Sequence, residues 1–203
     1  MPRQLKLPLK NVVTVKRLTA NDKNVARVSE ILTETRMQKP WFDEEKEGAA
    51  AAAARRAGFR RGYPPKVRRW LGNRNQKVLG VYVDGVLAGA GFVYSVRACD
   101  NSLKNFFLDR LKKEGIPVTC TRYLGRLGVH PDFQNRRLGR LLNQSALKTL
   151  LKDGVRAAFV TTSEDSITRP WLDEIGERIG EGEVKGTRQI AYFIDFPKKA
   201  WRF

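Results

Sequence analysis

The 203-residue sequence predicts an α/β fold, and three observations carry that expectation. Short runs rich in β-branched residues alternate with stretches whose apolar residues recur at helical spacing. KVLGVYV and VLAGAGFVYSV flank Asp84-Gly85, a two-residue turn that favours positive φ, so 77–96 reads as a β-hairpin. A further apolar run over 118–129 stops at His130-Pro131 and is followed by a helical period, which makes 123–142 a strand–turn–helix joint.

The elements follow in order. VVTVKRL at 12–18 is a first strand, closed by Thr19 and Asn21. Val25, Val28 and Ile31 or Leu32 give an amphipathic helix over 22–36 that starts near Asn21. WFDEEKEGAAAAAARRAGF then predicts a helix from about 44 to 57. Asp43 can cap it, Glu44, Glu45 and Glu47 lie in its first turns, and Arg55 and Arg56 precede Gly58, an order of charges that complements the macrodipole. After the hairpin, Leu103, Phe106, Phe107 and Leu111 mark a short helix within 100–116, and 118–129 is a strand. A helix over 138–152 should bury Leu138, Leu141 or Leu142, Ser145 and Leu150. AAFVTT at 157–162 is a buried strand, RPWLDEIGERIG a short helix with Pro170 in its first turn, and TRQIAYFIDF at 187–196 a closing strand. We read the chain, 1–203, as a single domain with a basic helical elaboration at about 40–77.

Charge narrows the partners. Lys and Arg number 39 against 21 Asp and Glu, a formal net charge of +18, and such a field attracts polyanions. Residues 55–77 hold nine Lys or Arg and no acid, interleaved with Phe59, Tyr63 and Trp70. Arg55, Arg56, Arg60, Arg61, Lys66, Arg68, Arg69 and Trp70 are therefore the candidate nucleic-acid-binding residues, the cations for phosphates and the aromatics for unpaired bases. Cys99 and Cys120 lack Cys or His neighbours at ligand spacing, and with a single His no metal site is expected. No secretory leader is read in Met1–Lys10, and no apolar run approaches the roughly 18 residues of a membrane span, so a cytoplasmic protein without membrane contact is expected.

The joint VHPDFQNRRLGRLL carries the chemistry. The first amides of a helix have no intrahelical partner and point, with the dipole, at any anion placed there. Gly139 admits close approach, and Gln134, Asn135, Arg136, Arg137, Leu138 and Arg140 surround it with amides and side-chain donors suited to phosphate. On these residues and the order of elements, the chain resembles the GNAT superfamily of N-acyltransferases over about 12–196. Its Gln-or-Arg, two residues, Gly, one residue, Gly-or-Ala motif matches Gln134, Arg137 and Gly139, with Arg137 standing where that family has its first glycine.

The resemblance implies a mixed, mostly antiparallel central sheet with flanking helices. It also implies acetyl-CoA or another acyl-CoA as cofactor, its diphosphate at the joint. The pantetheine arm would lie between parting strands at 123–129 and 157–162, against backbone near Leu127 and Val129. The family's acid, a tyrosine, would fall at Leu172, so Ser163, Asp165 and Tyr192 are the candidate catalytic residues. His130 reads as a strand end. The segment 21–76 would wall the acceptor, implying an amine on a nucleic acid or on a molecule bound to one. GRLGVHPDFQN with Ser163 and Asp165 also resembles the phage Mom branch, which implies adenine modification in DNA. Arg137 and Leu172 leave open a third reading, a binding module that has lost catalysis.

Overall fold

The computed structural model describes residues 12–38, 48–99, 102–184 and 187–196. Strand β1 (Val13–Arg17) leads into α1 (Asp22–Met37), which starts where the Asn21 side chain accepts the Asn24 amide at 2.8 Å. That capping bond satisfies a donor the helix cannot, as the sequence indicated.

The second helix differs from expectation. α2 (Ala49–Gly72) starts at the alanines but does not stop at Gly58; it continues through Gly62, Pro64 and Pro65. The acidic start at Asp43–Glu47 lies outside the described residues. Two interior prolines remove amides from the helical ladder and cost about 3 kcal/mol each in an isolated helix. Packing overrides them: Phe59, Tyr63, Val67 and Trp70 or Leu71 recur three or four apart, and Val67 is fully buried. Tyr63, Trp70 and Leu71 pack on the same core, so the basic stretch is the outer face of a core-bound helix.

The hairpin of β2 (Lys77–Val83) and β3 (Val86–Tyr94) is as expected, with Asp84 at φ 50° and Gly85 at φ 79°. Next come α3 (Lys104–Glu114), closed by Gly115 at φ 63°, and a 3-10 turn over Val118–Cys120. Then β4 (Thr121–Val129), α4 (Leu138–Lys152) and β5 (Ala157–Ser163) follow. Helix α4 buries Leu138, Leu142, Ala146, Leu147 and Leu150, whereas Ser145, expected inside, is half-buried, because Ala146 takes the inward position.

Residues 169–180, expected as one helix, divide into a helix and a strand. Helix α5 (Arg169–Ile175) ends at Gly176, and the chain turns into strand β6 (Glu177–Val184) before β7 (Thr187–Asp195). ERIGEGEV lacks apolar alternation because it is a charged edge strand, where such residues discourage pairing with other chains. Its glycines let α3 approach: a Cβ at Gly180 would lie 2.5 Å from the Phe106 ring.

Among the described residues seven strands form one sheet in the order β1-β2-β3-β4-β5-β7-β6, antiparallel except for the parallel pair β4–β5. Alternate residues face opposite layers. Phe92, Tyr123, Phe159 and Phe193 join α1, α2 and α3 on one side, and Leu124, Val160, Tyr192 and Ile194 join α4 and α5 on the other. Among the described residues no helix is long and apolar enough to cross a membrane.

Candidate active site

The one parallel pair is also the one that parts. Thr121–Leu124 pair with Ala157–Val160 and the register stops there, although β4 runs on to Val129 and β5 to Ser163. Beyond Val160, β5 stays with β7, matching Thr161 with Ala191, Thr162 with Ile190 and Ser163 with Gln189. On the other side β4 stays with β3, but Ala90 faces Gly128 and Phe92 faces Gly125, leaving Arg126 and Leu127 opposite Gly91 alone. That two-against-one arrangement is a β-bulge, and Arg126 takes φ 53° to make it. A bulge bends its strand and increases its twist, which swings the second half of β4 away from β5. The result is a fork whose closed end is the Leu124–Val160 register.

The far end of β4 leads to the entrance of α4. His130 is largely buried, and its Nδ1 accepts the Asp132 amide at 3.4 Å, the strand-end role expected of it. Asn135 and Arg137 have φ of 62° and 58°, left-handed values that glycine adopts freely and other residues at a cost of about 1 kcal/mol. The helical ladder begins with the Leu141 amide on the Arg137 carbonyl at 3.1 Å, and no side chain among the described residues caps the start. Among the described residues none accepts a hydrogen bond from the amides of Leu138, Gly139 or Arg140. Arg136, Arg137, Leu138 and Arg140 border an open groove of about 440 Å³ with Val13, Leu141 and Gln144. A Cβ on Gly139 would lie 3.4 Å from Leu127 and 3.9 Å from Val129, so the helix entrance faces the parted half of β4.

Two side chains expected to meet phosphate are engaged locally. Gln134 donates to the Val129 carbonyl at 3.0 Å and to Gln38 Oε1 at 2.6 Å, bracing the turn against β4 and α1. The Thr35 hydroxyl also donates to the Val129 carbonyl, at 3.4 Å, so that acceptor is occupied. Arg136 folds back, donating to the Asp132 carbonyl at 3.2 Å with its guanidinium over the Phe133 ring. Arg137 and Arg140 are exposed beside the groove.

The three catalytic candidates are not brought together. Ser163 ends β5 and its carbonyl accepts the Ser166 amide at 3.1 Å. Asp165 is exposed in the following turn. Tyr192 is fully buried on β7 and donates its hydroxyl to Asp173 Oδ1 at 2.7 Å, while Arg178 grips both oxygens of Asp173 at 2.7 Å. Burial first, then the bond to Asp173, pushes Tyr192 up to about 12. Hydrogen bonds from Arg178 and then Tyr192 bring Asp173 down to about 2. This is a bracing network that holds its proton tightly. Leu172 is 1% exposed, a core residue where the resemblance would place a tyrosine.

The network has a pH signature. Asp173 loses its proton more readily in the folded chain than in the unfolded one, where a value of about 3.9 is ordinary. Its contribution to stability is therefore present above about pH 4 and lost as pH falls through about 2. For Tyr192 the shift is upward, so its contribution is present below about pH 10 and lost as pH rises through about 12. Asp173→Asn should flatten the acid limb of stability between pH 4 and 2, measured by urea unfolding; an unchanged limb would show that the carboxylate is not linked to folding.

Sequence reasoning missed the residues at the closed end of the fork. Tyr123 on β4 meets Thr161 on β5, hydroxyl to hydroxyl, at 2.9 Å. The Arg126 guanidinium lies 4.5 Å from the Trp70 ring centroid and 5.2 Å from that of Tyr94. Two isolated glycines in YLGRLGV, Gly125 and Gly128, were the available signal, because glycine inside a strand marks a bulge or a close approach. A Cβ at Gly125 would lie 2.5 Å from the Tyr123 ring.

Of the basic residues on α2, Arg56 and Arg60 pair with Glu34 at 3.7 and 3.4 Å, and Arg68 pairs with Asp22 at 2.5 Å. Trp70 is turned inward, edge-on to Phe92 with centroids 5.4 Å apart and beneath Arg126, so its ring is committed to the fold. Phe59 and Tyr63 stack on each other at 5.6 Å. Arg55 is half-buried, and Arg61, Lys66 and Arg69 stand exposed.

Known proteins bear on this arrangement. No curated protein matches the chain. Among solved structures, PaiA N-acetyltransferase from Thermoplasma acidophilum, in complex with coenzyme A, has 13% identity and a TM-score of 0.58, with 91% of this chain and 99% of that one covered. FeeM, an N-acyl amino acid synthase from uncultured soil microbes, has 12% identity and a TM-score of 0.61, with 93% of each chain covered. YncA from Salmonella typhimurium, solved with its cofactor acetyl-CoA, has 16% identity and a TM-score of 0.59, covering 95% and 98%. These likenesses establish the fold, a seven-stranded mixed sheet flanked by helices. The Acetyltransferase (GNAT) family profile matches residues 39–169, more than half of the sequence and inclusive of the fork and the α4 entrance, and the chain belongs to that family.

Proposed function

We propose that this protein transfers an acyl group from acyl-coenzyme A to an amine, and that the amine belongs to a nucleic acid or to a molecule bound to one. The observation that carries the first half is the fork between β4 and β5 running to uncapped amides at the start of α4. Those residues fit the coenzyme. The amides of Leu138, Gly139 and Arg140, with Arg137 and Arg140 beside them, suit a diphosphate, and the parted strands suit a narrow arm. When bound, the coenzyme supplies an activated thioester; holding an amine against it is the task left to the chain. Family membership and relatives solved with coenzyme A and acetyl-CoA support the reading.

Charge supports the second half. The chain carries a net charge of +18, and Arg61, Lys66 and Arg69 stand exposed on α2, whose inner face packs in the layer that covers Tyr123, so a polyanion held on α2 would lie on the same side of the sheet as the closed end of the fork. Charge reversal at these three residues should reduce the slope of log affinity against log salt for duplex DNA by roughly 2 to 3. It spares the pairs that Arg56, Arg60 and Arg68 make with α1. An unchanged slope would place the contact elsewhere.

Incubation with acetyl-CoA and candidate acceptors, read by intact-mass and nucleoside mass spectrometry, tests the whole reading: an acetyl increment on a nucleic acid or its bound molecule is expected. Tight binding with no increment on any acceptor would instead favour a module without catalysis, the reading that buried Leu172 keeps open.

A further inference from the structure

We infer that Tyr123 is the proton donor of the transfer, with Thr161 as its positioning partner; this rests on the acyl-coenzyme A reading above. The last paired register is Leu124 with Val160, so the next positions, Gly125 and Thr161, are the first across the open fork. The Tyr123 ring leans over Gly125, where any side chain would strike it, and its hydroxyl reaches Thr161 Oγ1 at 2.9 Å. The ring is fixed from two sides. Tyr94 meets it edge-on at 5.1 Å and Phe159 lies at 5.0 Å. Two hydroxyls thus bridge the point where the strands begin to part, and glycine at 125 leaves room for the bridge.

Their side of the sheet matters. The α4 entrance belongs to the opposite layer, with Leu138 and Leu142, whereas the Tyr123 ring belongs to the layer of α1 and α2. An arm held by its diphosphate at α4 and laid in the fork would therefore reach its closed end beside Tyr123, on the sheet face that α1 and α2 cover. The other hydroxyl considered for the role, that of Tyr192, is committed to Asp173 in the α4 layer.

The step balances on these groups. The acceptor nitrogen bonds to the carbonyl carbon and the carbon–sulfur bond breaks, its electron pair passing to sulfur. Tyr123 gives its phenolic proton to that sulfur while Thr161 donates to the phenolic oxygen. The proton lost by nitrogen goes to solvent, from which Tyr123 is reprotonated.

Tyr123→Phe keeps the ring and its packing, and Thr161→Val keeps the strand, so both should fold. The direct readout is binding: the ultraviolet absorbance of bound coenzyme A, titrated with pH, gives the ionisation of its thiol, ordinarily near pH ~8.5. A hydroxyl that donates to sulfur favours the thiolate, so the midpoint should lie lower in the wild type and rise by about one unit or more in Tyr123→Phe, and by less in Thr161→Val. Thiol release from acetyl-CoA with hydroxylamine as surrogate acceptor should fall ~100-fold in Tyr123→Phe with the Kd for acetyl-CoA nearly unchanged. A wild type that does not bind coenzyme A would end the acyltransferase reading itself. A wild type that binds and accelerates thiol release, but whose thiol midpoint or hydroxylamine rate is unmoved by Tyr123→Phe, would overturn the assignment of Tyr123 alone; one that binds without accelerating thiol release would overturn it together with the transfer reading.

Discussion

Replacing Gly139 by Glu is expected to weaken acetyl-CoA binding by ~2 kcal/mol or more, about 30-fold in Kd, while leaving the fold intact. The first turn of α4 offers three amides that no described residue uses. A carboxylate at 139 would compete for those amides and repel a diphosphate from the place where the dipole otherwise favours it. The geometry also supplies the control. A Cβ at this position meets Leu127 at 3.4 Å and Val129 at 3.9 Å, close to ordinary contact, so Gly139→Ala should fold normally and lose much less. Calorimetry on the three proteins separates charge from bulk. Equal affinity in Gly139→Glu and wild type would mean that the diphosphate binds elsewhere.

Phe159→Ala should be the most destabilising of the changes considered, by roughly 3–5 kcal/mol. Phe159 is fully buried on the paired half of β5, with Phe107 and Tyr123 each at 5.0 Å between ring centroids. Through Phe107, which also lies 5.5 Å from Phe193, it ties α3 to β5 and β7 at the closed end of the fork. Truncation leaves a cavity that Phe107 and Tyr123 cannot fill without losing their own contacts. The measurement is the urea midpoint at unchanged slope. A loss under ~1 kcal/mol would show that this end of the sheet is held by its backbone ladder and not by the aromatic cluster.

Much of this arrangement was legible in the sequence because it rests on local signals. Asp84-Gly85 announces its hairpin, Asn21 its helix start, and the spacing from Leu138 to Leu150 its helix, each within a dozen or so residues. The strand–turn–helix joint was legible for the same reason. What escaped depends on tertiary contacts. Pro64-Pro65 reads as a helix breaker, and only the packing of Val67 and Trp70 against the sheet keeps α2 continuous. Strand β6 is written in charges, because an edge needs no apolar alternation. The Tyr123–Thr161 contact joins residues 38 apart, on two strands that the sequence does not show to be neighbours. Tyr192 is a catalytic candidate in the sequence, and its bond to Asp173, itself held by Arg178, joins residues 19 apart that no local pattern links.

The proposed placement of the coenzyme can be tested residue by residue with amide spectra of the labelled protein, recorded while coenzyme A is added. The amides of Leu138, Gly139 and Arg140, and those of Leu127 and Val129 along the parted half of β4, should move together and saturate at one concentration. Saturable shifts confined to other residues, with these five unmoved, would show that the cofactor sits away from the fork.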